Sequence, residues 1–234
     1  MLLANQKASL SPGDTREMAA ARRAFLSKGY YEPLSDRIVS LVGSETAGAG
    51  ILDAGCGEGY YLHRLMESSP GDDGYGLDIS KEAVRLAARN KSACYVVASV
   101  HQDLPFGASS LDIVLNVFAP RSPAEFARVL RPSGFALVVV PAAGHLAALH
   151  DVLGLPHIDG DKERRAISDF DGALIPSHSE TLRYTRALPP ADVFDLIQMT
   201  PTFWHLSDEA RAGMSVLPGL VIEFAFTLIV FCRA

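Results

Sequence analysis

Apolar residues follow two rhythms along the chain. Over residues 14–42 they recur at helical spacing, at Met18, Ala21 and Phe25 and again at Leu34, Ile38, Val39 and Leu41. Asp14 is placed to cap the first turn, and Gly29-Tyr30-Tyr31 divides the stretch into two helices. From Ile51 the rhythm changes to short apolar runs separated by amphipathic segments: ILDAG, a helix over 60–68, YGLDI, a helix over 80–90, CYVVA, LDIVLNV, a helix over 122–130, and FALVVV. Such alternation predicts a parallel sheet with helices on both faces. Ligands of these sheets sit at the carboxyl ends of the strands, where strand order reverses.

After Pro141 the rhythm stops. Residues 142–179 are mixed, hold His145, His150, His157 and His178, and contain the charged run DGDKERR, which reads as a flexible insertion or lid. TLRYTRAL then predicts a strand, 190–199 a helix and VIEFAFTLIVF a long final strand. The expected fold class is α/β, a Rossmann-like, seven-stranded, mostly parallel sheet with helices on both faces. Residues 46–234 form the expected domain, with the insertion at about 142–179, after an N-terminal helical segment or lid over 1–45.

Composition narrows the class. A chain of 234 residues is long enough for one α/β core, and 48% hydrophobic with 21% charged residues is ordinary for a globular domain. An uninterrupted apolar stretch of about 18 residues is lacking, so membrane contact is not expected, and the N-terminus does not read as a secretory signal, which makes the cytoplasm the expected compartment. Cys56, Cys94 and Cys232 form no C-x-x-C pair, and the four insertion histidines lack ligand spacing, so no metal is expected. A formal net charge of -6 gives no global attraction to phosphate; Arg16, Arg22, Arg23 and Lys28 supply one modest basic cluster.

The chemistry is concentrated in Asp53-Ala-Gly55-Cys-Gly57-Glu-Gly59, which follows the first strand and opens a helix. Its G-x-G-x-G spacing differs from the G-x-G-x-x-G of dinucleotide enzymes. With a preceding acid it resembles the first motif of Rossmann-like S-adenosylmethionine (SAM) methyltransferases, whose ligand has an amino-acid end and no pyrophosphate. That resemblance implies SAM as cofactor, with Asp53 facing its sulfonium or ammonium, Gly55, Gly57 and Gly59 at the turn, and Tyr60 adjoining. Asp78, about 20 residues later at a strand end, is placed to accept the ribose hydroxyl protons, with Ile79 beside it. In the resembling enzymes the next strand end flanks adenine, which points to Ser99, Val100 and His101. Asn116, at the fourth strand's exit, is expected to contact the cofactor and to hold a target nitrogen's lone pair toward the methyl carbon. Asp14 and Tyr30 are the other catalytic candidates, and Tyr31, Phe118 and Trp204 are candidates for stacking on a planar acceptor.

Beyond these motifs, GDTREMAAARRAFLSKGYYEPL (13–34), LDAGCGEGYY (52–61), GLDISKEAV (76–84), VASVHQDLPF (97–106) and QMTPTFW (198–204) are similar to the bacterial large-subunit rRNA guanine-N(1) methyltransferases. The resemblance implies methylation of guanine N(1) in an rRNA hairpin by a cytoplasmic, often dimeric enzyme. Two features depart from it. The family usually opens with a four-ligand zinc module, and this sequence starts where that module would end. Asn116-Val-Phe118-Ala-Pro120 stands where the family tends to have a basic residue and a Tyr before Ala-Pro. A small-molecule acceptor, a heteroaromatic or phenolic metabolite, is the alternative substrate class.

Overall fold

The computed structural model describes residues 13–43, 48–155, 157, 160–204, 214 and 217–233. Two helices come first, α1 (Arg16–Leu26) and α2 (Glu32–Val42). Thr15, and not Asp14, caps α1: its hydroxyl accepts the Met18 N–H at 3.3 Å. Next come β1 (Gly50–Ala54), α3 (Tyr60–Ser68), β2 (Asp73–Asp78), α4 (Lys81–Ala87), β3 (Cys94–Val97), β4 (Leu111–Val117), α5 (Pro123–Val129) and β5 (Leu130–Pro141). The chain ends with α6 (Ala147–Leu153), α7 (Lys162–Asp169), β6 (Ile175–Leu188), α8 (Pro190–Met199), α9 (Pro201–Trp204) and β7 (Leu220–Cys232).

The strands form one sheet in the order β3-β2-β1-β4-β5-β7-β6. The first five are parallel, while β7 runs antiparallel to both β5 and β6. Strand order reverses between β1 and β4, so the sequence argument places a ligand over that pair of carboxyl ends.

Two-residue periodicity sorts each strand between two cores. Ile51, Ile113, Leu115, Leu137, Val139, Phe224 and Phe226 face the layer holding Phe25, Leu34, Ile38 and Leu62. Leu52, Ala54, Val114, Ala136, Val138, Ile229 and Phe231 face the layer holding Phe126 and Phe170.

Residues 142–179 are more ordered than a flexible connection. They contain α6, α7 and the first residues of β6, which begins at Ile175, six residues before the strand expected at Thr181. The charged run misleads because only one side of α7 is polar: Ala166 and Phe170, four apart, are buried, and the Phe170 ring stacks on Phe231 at 4.1 Å. Among the described residues no helix is long and apolar enough to cross a membrane.

Candidate active site

β1 delivers its last residues into a turn that only glycine can make. Gly55 has φ 90°, and a Cβ there would lie 2.3 Å from the Ala119 Cβ, so the turn packs directly on the exit of β4. At Gly57 (φ 53°) the space is open, the nearest atom being Arg22 Nη1 at 3.8 Å. Gly59, also left-handed, caps α3.

Three acids surround this turn. Asp53 is 1% exposed, and among the described residues neither carboxylate oxygen has a hydrogen-bond partner. Burial, helped by the neighbouring Asp78 charge, pushes its pKa up to about 8. Asp78 accepts the Gly57 N–H at 2.9 Å and the Ser80 N–H at 2.7 Å. Its pKa is raised by burial, which these two bonds oppose. Glu58, also buried, is raised by burial against the opposing charges of Arg23 and Arg22.

The N-terminal segment closes over the turn. Asp14 pairs with Arg22, and its carbonyl accepts the Ser80 hydroxyl at 2.6 Å. A Cβ on Gly13 would lie 2.8 Å from Ile79 Cγ2, so the chain crosses tightly over the end of β2. Arg23 donates to the Leu86 carbonyl at 3.1 Å and lies 3.9 Å from Glu58. Asp14 is thereby brought to Asp78, and Arg22 and Arg23 of α1 belong to this site.

The β3 exit joins the same end through the Ala98 N–H, which donates to the Asp78 carbonyl at 3.0 Å. There Ser99 Oγ accepts the His101 N–H at 3.2 Å, Val100 is buried and His101 is exposed. Asn116 is 1% exposed, and its side-chain NH2 donates to the carbonyls of Ala54 at 2.8 Å and Pro120 at 2.9 Å. Its amide therefore fastens the β4 exit to the end of β1. Tyr60 sits in the first turn of α3, with its ring edge-on to Tyr61 at 5.1 Å.

Other candidates are tied elsewhere. The Tyr30 hydroxyl donates to Asp192 of α8 at 2.5 Å, and Trp204 Nε1 donates to the Gln198 carbonyl at 2.8 Å. Tyr31 lies in the core, edge-on to Phe224 at 5.3 Å. Lys28 pairs with Asp192 and Asp195, so of the basic cluster Arg22, Arg23 and Lys28 are all ion-paired while Arg16 is exposed.

Two residues beside the β4 and β5 exits stand out. Phe118, at the β4 exit, has φ 53° and is 43% exposed. Strain of this kind in a bulky residue collects at functional sites. His145, after β5, is buried beside it with ring centroids 6.5 Å apart. Phe118 was legible by its position after the fourth strand; His145 carried no sequence signal beyond its residue type. Among the described residues no cluster of His, Cys, Asp and Glu could hold a metal.

A family of methyltransferase domains matches residues 51–134, from β1 into β5. Among solved structures, the YcgJ protein of Bacillus subtilis superposes with a TM-score of 0.54 at 22% identity, covering 86% of this chain and 98% of that one. A geranyl diphosphate methyltransferase in complex with SAM does so with 0.57 at 17%, covering 96% and 93%. These two share the fold. A relative from Streptomyces fradiae named 23S rRNA (guanine(748)-N(1))-methyltransferase is 39% identical over 229 residues, 94% of this chain and 80% of the relative. A Micromonospora griseorubida sequence carrying the same family name is 37% identical, over 85% and 72%. Identity at this level across most of both chains places the protein: it belongs to the 23S rRNA (guanine-N(1))-methyltransferase family.

Proposed function

We propose that this chain transfers a methyl group from SAM to N(1) of a guanine in a 23S rRNA hairpin. The observation that carries the reading is the near full-length match to the Streptomyces fradiae relative, and the site fits the cofactor. Asp53 is buried, and among the described residues neither of its oxygens has a partner; a ligand ammonium would supply one. Each Asp78 oxygen accepts one backbone N–H and retains a lone pair for a ribose hydroxyl. The open space at Gly57 lets a ligand approach the backbone. Ser99, Val100 and His101 would then flank the adenine.

SAM supplies an electrophilic methyl on a sulfonium. The protein's task is to hold N(1) in line with it, and orientation of this kind is worth several orders of magnitude. Asn116 serves that task by locking the β4 exit against β1, which sets the floor beneath the acceptor. Ribosomal RNA as substrate makes the cytoplasm the workplace, and a homodimer, expected from the resemblance, is readable by sedimentation. One observation favours the metabolite reading: of the basic cluster Arg16, Arg22, Arg23 and Lys28, three are spent on acids.

Both are decided by offering labelled SAM with a 23S rRNA hairpin transcript and mapping the product by reverse transcription. A methyl on N(1) blocks the pairing edge, so the expected result is label in RNA and a stop at one guanine. No label in the hairpin, with label in a small heteroaromatic acceptor, would overturn the RNA reading.

A further inference from the structure

His145 is a buried imidazole that the cofactor site does not use. It follows β5, between Gly144 (φ 84°) and Leu146 (φ 56°), one strand over from the β4 exit. Strand pairing brings the two exits together. The Phe118 N–H donates to the Val139 carbonyl at 3.1 Å, and the Ala142 N–H to the Ala225 carbonyl at 2.9 Å. The ring lies 4.7 Å from the Phe226 ring and 6.3 Å from that of Phe224, with the exposed Phe118 on a third side.

The Ala225 N–H donates to His145 Nδ1 at 3.2 Å. A nitrogen that accepts carries no proton, so in the neutral ring the proton sits on Nε2. Among the described residues this is the ring's one hydrogen-bond partner, which leaves the Nε2–H edge as a donor with no acceptor among them. The N–H of a buried ring ordinarily finds an acceptor, protein or water, so this edge is available to a bound molecule. The ring also stays neutral. Burial lowers its pKa to about 3, and the groups acting on it, His150 of α6 and Lys162 of α7, add to the effect. Glu223 of β7 lies nearby, its carboxylate 3.0 Å from where a Cβ of Gly144 would be. His145 is therefore a fixed donor at neutral pH and not a base.

Guanine N(1) is a poor nucleophile while it holds its proton. Once the proton passes to water, the electron pair and the charge are shared with O6. N(1) then bonds to the methyl carbon as the carbon–sulfur bond breaks, with that bond's electrons staying on sulfur. A donor at O6 favours the ionised base in the same way that preorganised N–H groups favour other developing oxyanions. We infer that the Nε2–H of His145 contacts O6 of the target guanine, with the base lying against Phe118, and is a catalytic residue of the methyl transfer. The inference rests on the guanine-N(1) reading above.

The full-length protein and its His145→Phe and His145→Gln variants would be compared for S-adenosylhomocysteine affinity and for hairpin methylation at saturating SAM from pH 6.5 to 9.5. With His145→Phe the affinity is expected within about twofold of wild type and kcat to fall about a hundredfold, the order expected for loss of one oxyanion donor. The pH of half-maximal rate should move up by about one unit, because the base must ionise without help. Glutamine, which keeps an N–H, should recover much of the rate. His145→Phe with wild-type kcat and pH midpoint would overturn the assignment, as would equal losses of S-adenosylhomocysteine binding in both variants. Absence of methylation by the wild type would instead bring down the guanine reading itself, and this inference with it.

Discussion

The two halves of the sheet's carboxyl edge solve different problems. Over β1, β2 and β3 the surface is polar and acidic: Asp53, Asp78 and Glu58 are buried around a glycine turn, and Asp53 has no partner among the described residues. Over β4, β5 and β7 it is aromatic, with Phe118, Phe224 and Phe226 around a single neutral imidazole. On the reading proposed above, the first half receives a cation and the second a planar, neutral partner whose charge changes only during reaction. A site divided in this way would bind one ligand by charge and the other by shape.

The sharpest break of that comparison is Asp53→Asn. If Asp53 receives a ligand ammonium, titration calorimetry should show S-adenosylhomocysteine binding about a hundredfold weaker, the loss of one charge-assisted hydrogen bond of about 2–3 kcal/mol. The free protein should become no less stable in denaturant, because an unpaired buried carboxyl has been replaced by a neutral amide. Weaker stability with unchanged binding would make Asp53 a structural residue.

A pH series tests the same point with a smaller effect. In the free protein the Asp53 carboxyl stays protonated up to about pH 8, whereas its ordinary value is 3.8. Between those values the folded state holds a proton that the unfolded chain has released. Stability therefore falls as pH rises through the window, by up to about 1.4 kcal/mol per unit. Thermal melts should show that slope in the wild type and a flatter one in Asp53→Asn. Ligand affinity should move the opposite way, rising up to about tenfold per unit toward pH 8, since an ammonium selects the ionised carboxylate.

What was legible in the sequence follows the same division. The cofactor half is local: strand, glycine turn and helix are contiguous, so the meeting of Asp53 to Gly59 with Asp78 at one strand end is legible from spacing. The acceptor half is assembled by antiparallel pairing between β5 and β7, whose partners Pro141 and Phe226 are far apart in sequence, and periodicity within one segment cannot reveal such a partner. For the same reason His145 was read as part of a flexible insertion, and α7 was hidden by its charged face. Asn116 was read from strand position alone, which does not show that its NH2 meets the Ala54 and Pro120 carbonyls. The basic cluster from Arg16 to Lys28 suggests phosphate, whereas the acidic partners of Lys28, Asp192 and Asp195, come from α8 and are far away in sequence.

The aromatic half is tested by Phe118→Gly. Glycine relieves the left-handed backbone at φ 53° but gives up the ring's packing on Phe226, so the two effects oppose and stability should change by no more than about 1–2 kcal/mol. Hairpin methylation should fall about tenfold through loss of stacking, with S-adenosylhomocysteine affinity unchanged. A parallel fall in cofactor affinity would erase the division between the halves.

The smallest effect is expected from Lys28→Ala. Lys28 lies on the helical side of the molecule, already paired with Asp192 and Asp195 on its exposed surface. Surface pairs contribute at most about 1 kcal/mol, so denaturant melts should move little. The salt dependence of KM for the hairpin is the discriminating measurement. A lysine that contacts phosphate adds about one to the slope of log affinity against log salt, and its removal takes that amount away. Since two carboxylates already neutralise Lys28, the slope should be unchanged, which would leave RNA to be held by the aromatic half and its surroundings. A slope reduced by one would show that the pairs open on RNA, and that the N-terminal segment serves both ligands.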